Sequence, residues 1–230
     1  MLFRSGRISE VVRYDAPLSY GSGATLGTLK ASILATHISH RTGYQYDAAG
    51  RVTQEVLTQG TLTQTSSVTA TYAYDTQGNL ISTTRAAGTS EARTTETRYD
   101  FLGRVTQELS AEGRALITAG MSQAQIDDVW NRYGVTYAYD IAGRRISATV
   151  RPNDQQTLAT LFYYDRDGRL THTVKANGEV TESLYDALGR LTGTVTYAAP
   201  VAVGSLSGGL ANSTPGSRSE ERRVGKECRS

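Results

Sequence analysis

Six times in 230 residues a tyrosine and an aspartate are followed, after two variable positions, by a glycine, and five of those glycines precede an arginine. The copies read YDAAGR at 46–51, YDTQGN at 74–79, YDFLGR at 99–104, YDIAGR at 139–144, YDRDGR at 164–169 and YDALGR at 185–190. Their aspartates lie 28, 25, 40, 25 and 21 residues apart. That spacing belongs to a repeat array, in which no single unit buries its apolar face alone. A weaker echo, RYDAPLSYG at 13–21, keeps the Tyr-Asp and lacks the Gly-Arg.

Turn chemistry accounts for the fixed positions. Asp suits the first position of a type I turn, because its carboxylate accepts nearby backbone N–H groups, and Gly suits a position of positive φ. A three-residue loop closed by a glycine bulge, Ala48-Ala49-Gly50 in the first copy, sets Asp47 opposite Arg51 and Tyr46 opposite Val52. The same structural roles fall to Tyr74, Asp75, Gly78 and Asn79, to Tyr99, Asp100, Gly103 and Arg104, and to Tyr139, Asp140, Gly143 and Arg144. They fall again to Tyr164, Asp165, Gly168 and Arg169, and to Tyr185, Asp186, Gly189 and Arg190. In this register the other tyrosines face Leu80, Val105, Leu170 and Leu191, while Tyr139 faces Arg145 and breaks the rule. Asn79 reduces the second ion pair to a hydrogen bond. Each cross-strand pair is worth about 0.2–1 kcal/mol, so a hairpin is marginal alone and depends on its neighbours.

Beyond the motif, SVTATYAYD alternates with period two, placing Val68, Ala70, Tyr72 and Tyr74 on one face. Fourteen tyrosines against three phenylalanines and one tryptophan suit sheet faces that stay half wet. The fold class is therefore mainly β, an array of antiparallel hairpins. A helical insertion is expected over about 121–134, where Ser122 and Gln125 form a capping box and Ile126, Val129, Trp130 and Tyr133 share a face. Gly134 supplies its C-terminal stop.

The organisation reads as a degenerate repeat with a short helix over 1–40, a repeat region over 41–198, a Gly/Ser/Pro linker over 199–217 and a tail over 218–230. The tail, RSEERRVGKECRS, reads as the translation of a sequencing-adapter oligonucleotide; the bland alternative is a solvated basic extension. It holds five of the 24 basic and three of the 22 acidic side chains, so the rest of the chain carries 19 of each and no net charge. A nucleic-acid partner has no support from bulk charge. Cys228, the one cysteine, also lies in the tail, which removes thiol chemistry and disulfides from the repeats. No apolar run is long enough for a membrane span, and no membrane partner is expected within the chain.

Catalytic, metal and cofactor residues are expected to be none. His37, His40 and His172 are too few for a zinc site, and Asp127 and Asp128, adjacent on the helix, point apart and read as solvated acids near its start. Calcium needs six or more oxygens, whereas each hairpin offers one Asp with a competing Arg beside it. Aromatic faces such as Tyr72 and Tyr137 keep glycan contact open as an alternative, in which the sheet serves as an adhesion or carbohydrate-binding surface.

The Tyr-Asp-x-x-Gly-Arg copies resemble the YD or RHS repeats of bacterial RHS proteins, insecticidal toxin-complex components and teneurins, over about Arg41 to Thr196. The resemblance implies part of a β-sheet that spirals into a hollow shell, enclosing or scaffolding a C-terminal toxin in a secreted or cell-surface bacterial protein. The implied partners are the remainder of the same chain and its enclosed toxin. Family members end their shell with a self-cleaving segment containing Asp-Pro, and the four prolines here follow Ala16, Arg151, Ala199 and Thr214. An internal piece of a larger shell is the expectation.

Overall fold

The computed structural model describes residues 2–4, 6–13, 23, 25, 40–60, 65–153 and 155–210. The helix expected within 24–40, most of the 13–21 echo, and the tail with Cys228 lie outside the described residues. The chain forms two compact units, Met1–Thr97 and Arg98–Ser230. In the first, β1 (Leu2–Arg4), β2 (Arg7–Arg13), β3 (His40–Tyr46), β4 (Val52–Gly60), β5 (Thr65–Tyr74), β6 (Leu80–Arg85) and most of β7 (Arg93–Tyr99) pair antiparallel in sequence order. In the second, β8 (Val105–Leu109), β9 (Gly134–Tyr139), β10 (Arg145–Asn153), β11 (Gln156–Tyr164), β12 (Leu170–Val174), β13 (Val180–Tyr185) and β14 (Leu191–Thr196) do the same. β15 (Gly209–Leu210) joins β11 in parallel.

The register follows the motif. Tyr46 pairs with Val52, Tyr74 with Leu80, Tyr139 with Arg145, Tyr164 with Leu170 and Tyr185 with Leu191, each beside a bulge. The bulge is needed because three loop residues separate Asp from Arg, and Gly50 and Gly103 absorb the turn at φ +87 and +75. A β-branched side chain resists that backbone. Gly103→Val is expected to destabilise by about 1–3 kcal/mol, and superimposable thermal melts of variant and wild type would remove the requirement for glycine.

The two units differ in packing. No described residue of the first is fully buried, as suits a sheet whose faces carry Thr, Ser and Gln among scattered aliphatics. The second has two buried clusters. One joins Leu109 to Val129 and Trp130 of α2 (Gln123–Tyr133), with Ile117, Met121 and Ile126 beside them. Ser122 Oγ accepts from the Gln125 N–H, and the Gln125 side chain accepts from the Ser122 N–H, closing the capping box. A short helix the sequence reading missed, α1 (Ala111–Leu116), precedes it; Ser110 Oγ accepts from the Gly113 N–H. Gly134 ends α2 as expected, its N–H donating to Trp130 O. Its φ is −99, and its lack of a side chain matters because a Cβ there would meet the Trp130 carbonyl oxygen. Nor is Asp127 merely a solvated acid, since it accepts from Arg98 Nη2 at 2.9 Å while that guanidinium lies 4.1 Å over the Trp130 ring.

The other cluster corrects the expected linker over its first part. Leu161, Tyr163, Val174 and Val180 are buried under Tyr197, Val201, Val203 and Leu206. The Tyr197 N–H donates to Val180 O and the Val201 N–H to Gly178 O, so residues 197–210 fold back over the sheet and end as β15. The apolar residues spaced through Val201, Val203 and Leu206 are what a solvated Gly/Ser linker would lack.

Candidate functional site

Each motif builds the same turn. The Asp47 N–H donates to Arg51 O and the Gly50 N–H to Asp47 O, both at 3.0 Å. Asp47 Oδ1 then accepts from the Arg51 N–H at 2.9 Å, and Oδ2 from Arg51 Nε at 2.7 Å. Arg104 on Asp100, Arg144 on Asp140, Arg169 on Asp165 and Arg190 on Asp186 repeat the Nε contact at 2.7 Å. In the second copy Asn79 Nδ2 donates to Asp75 Oδ2 at 2.8 Å.

The structure gives the same residues a second role that the sequence reading missed: they tie one hairpin to the next. Arg51 Cζ lies 4.6 Å over the ring of Tyr74, Arg51 Nη1 donates to Asp75 O at 3.2 Å, and Tyr74 Oη donates back to Val52 O at 2.9 Å. Arg144 does this with Tyr164 and Asp165, and Tyr164 Oη donates to Arg145 O at 2.8 Å. Arg104 stacks on Tyr139, whose hydroxyl donates to Val105 O, and Arg169 stacks on Tyr185, whose hydroxyl donates to Leu170 O. Even the β1–β2 hairpin joins in, with Arg7 over Tyr46 and Tyr46 Oη donating to Ile8 O. A signal for this was present. Phe would serve as well as Tyr opposite Val or Leu, so tyrosine at all six positions calls for a partner to its hydroxyl.

Two further departures are instructive. Arg145, the mismatch opposite Tyr139, turns its guanidinium onto Tyr137 at 3.9 Å. Lys175 to Glu179 forms the same turn with the charges exchanged, Lys175 Nζ to Glu179 Oε1 at 2.6 Å and Gly178 at φ +85; its Asn-Gly was the local signal. The hydroxyls of the two tyrosines considered for glycan stacking are engaged: Tyr72 Oη donates to Glu55, and Tyr137 Oη to Glu108. Burial first, then that bond, pushes the Tyr137 hydroxyl up to about 12. His40 and His172 sit on β3 and β12, His37 lies outside the described residues, and no group of three or more His, Cys, Asp or Glu converges among the described residues.

The motif carboxylates are held below their usual range. At Asp47, Asp100, Asp165 and Asp186 the leading cause is the backbone N–H of the arginine four residues on, joined by its guanidinium. At Asp75 it is the Asn79 side chain; at Asp140 burial raises the pKa, and the Arg144 guanidinium and N–H outweigh it. A depressed folded pKa contributes stability that is present above the unfolded value of 3.8 and is lost as pH falls through the folded one. The melting temperature is therefore expected to hold from pH 8 to about 5 and fall below about 4; a midpoint unchanged down to pH 3 would remove these carboxylates from the stability of the array.

A family model for the teneurin YD-shell matches residues 20–197. The chain belongs to that family. No sequence among the curated proteins matches it. Among solved structures, this YD-shell chain is similar to the crystal structure of TcdB2-TccC3, at 15% identity and TM-score 0.48, over 84% of this chain and 10% of that one. It is also similar to TcdB2-TccC3-Cdc42, at 14% identity and TM-score 0.47, over 72% of this chain and 8% of that one. The Photorhabdus luminescens Tc holotoxin pore aligns over 68% of this chain and 8% of that one, at 18% identity and TM-score 0.38. This chain thus spans about a tenth of the length of the chains it matches. The YD-shell fold is structural, and among the described residues no helix is long and apolar enough to cross a membrane.

Proposed function

We propose that this YD-shell chain is a segment of the wall of a hollow β-shell that encloses or scaffolds a C-terminal toxin in a secreted or surface-displayed bacterial protein. The observation that carries the reading is the double use of the arginine in four of the motifs, Arg51, Arg104, Arg144 and Arg169. Each closes a turn and locks it to the next hairpin, so a wall of any length can be assembled from marginal pieces. Such a lock favours stiffness over chemistry, and its polar groups are occupied with one another. The test is limited proteolysis of the full-length gene product, native and after partial denaturation. A variable C-terminal domain that resists protease in the native protein and is digested once the repeats unfold is the expected result. Equal digestion in both states, or a gene with no such domain, would overturn enclosure of a toxin.

A further inference from the structure

Residues 197–210 form a strap over β11, β12 and β13, and few backbone bonds hold it. Tyr197, Val201, Val203 and Leu206 pack on Leu161, Tyr163, Val174 and Val180. The Tyr197 and Val201 N–H groups donate to Val180 O and Gly178 O, and two residues pair as β15. The three strands beneath are instead laddered along both edges. A segment tied so lightly opens ahead of the sheet it lies on. Its closure depends on the face it covers staying apolar and uncharged.

That face carries a histidine. His172 is half-buried on the side of the sheet that bears Val174, two residues on along β12, and it stands opposite Tyr163 of β11 and Glu182 of β13. Glu182 in turn accepts from Tyr197 Oη of the strap. Residues 191–210, which make up β14 and the strap, contain no Asp, Glu, Lys, Arg or His. Burial raises the Tyr163 hydroxyl, which stays neutral. At the two turns, Lys175 is paired with Glu179 and Arg169 with Asp165. An imidazolium at 172 would therefore lose water and gain one carboxylate, which the strap's own tyrosine already uses. Burial holds His172 below the usual histidine range, against the opposing pull of Glu182.

We propose that residues 197–210 are an acid-released strap with His172 as its trigger: a proton taken up from solvent by the imidazole favours the open strap, where the cation is hydrated, and uncovers the apolar face of Leu161, Tyr163, Val174 and Val180. The open strap leaves His172 at its ordinary value of 6.5. Closure is therefore at full strength above that pH, weakens as pH falls below it, and levels off once the closed-state histidine also protonates. At pH 5.5, one unit below, linkage limits the rise in the opening constant to about tenfold. This window lies above the one in which the motif aspartates lower the melting temperature, and the strap has opened before the sheet melts. The proposal rests on the strap's own contacts and not on a toxin being enclosed, so the two readings fail separately.

Hydrogen exchange of the whole chain, resolved by NMR to the Tyr197 and Val201 amides and corrected for the intrinsic pH dependence of exchange, reads the opening constant. A rise of several-fold, up to about tenfold, is expected at both amides between pH 7.5 and 5.5, with no rise in the β8–β9 ladder. His172→Gln, neutral at both pH values, should abolish the rise. Glu182→Gln should keep it, because the carboxylate is not the group that takes the proton. Equal protection at the two pH values, a rise that survives His172→Gln, or one lost in Glu182→Gln would overturn the proposal. Should His172→Gln fail to fold, titration of the His172 Cε1–H resonance in the unaltered chain decides the point. A midpoint below 6.5 is expected there, and one at or above 6.5 would remove His172 as the trigger.

Discussion

Trp130→Ala should lower the stability of the second unit by about 3–5 kcal/mol, the range for emptying a buried aromatic site. Trp130 is 3% exposed and packs with Leu109 and Val129 where α2 lies on β8, β9 and β10. Its ring also carries the Arg98 guanidinium, which reaches Asp127 on the same helix. Truncation removes the core of that cluster and the surface on which an ion pair is built, leaving a cavity that the capped helix above it fills poorly. Urea unfolding followed by circular dichroism measures the loss without the tryptophan signal, and Trp130→Phe should recover a good part of it. A loss under about 1 kcal/mol for the alanine variant would mean that the helix is held by its caps and connections, not by this contact.

Arg144→Ala should cost about 3 kcal/mol, against a few tenths for Arg190→Ala. Both arginines make the turn bond to their aspartate, so the comparison isolates what the next hairpin adds. Arg144 is 19% exposed, lies over Tyr164 and donates to Asp165 O; its removal strands the half-buried Asp140 carboxylate and uncovers the ring. Arg190 is largely in water and its loss touches only one exposed pair. Arg144→Lys should rescue little, because a point charge replaces a planar fork that bonds at Nε and stacks at once. Equal, small losses for Arg144→Ala and Arg190→Ala in thermal and urea unfolding would show that the hairpins are stacked by backbone pairing alone.

The turns were legible from the sequence because every force that forms them acts within five residues. Asp47, Gly50 and Arg51 meet through a loop whose length dictates the bulge, and the capping box at Ser122 and Gln125 is equally local. So the chain by itself determined the hairpins, their register, the positive-φ glycines and α2. Tertiary structure decided where the other half of each side chain goes. Nothing near Arg51 in sequence indicates that its guanidinium covers Tyr74, 23 residues on, because that contact depends on the alignment of two hairpins in the sheet. Nor do residues 199–210, read alone, announce that Val201, Val203 and Leu206 find an apolar surface made by Leu161, Tyr163, Val174 and Val180. A weak apolar pattern gains stabilisation only when distant strands have first assembled a face to receive it, and that face is a property of the assembled sheet.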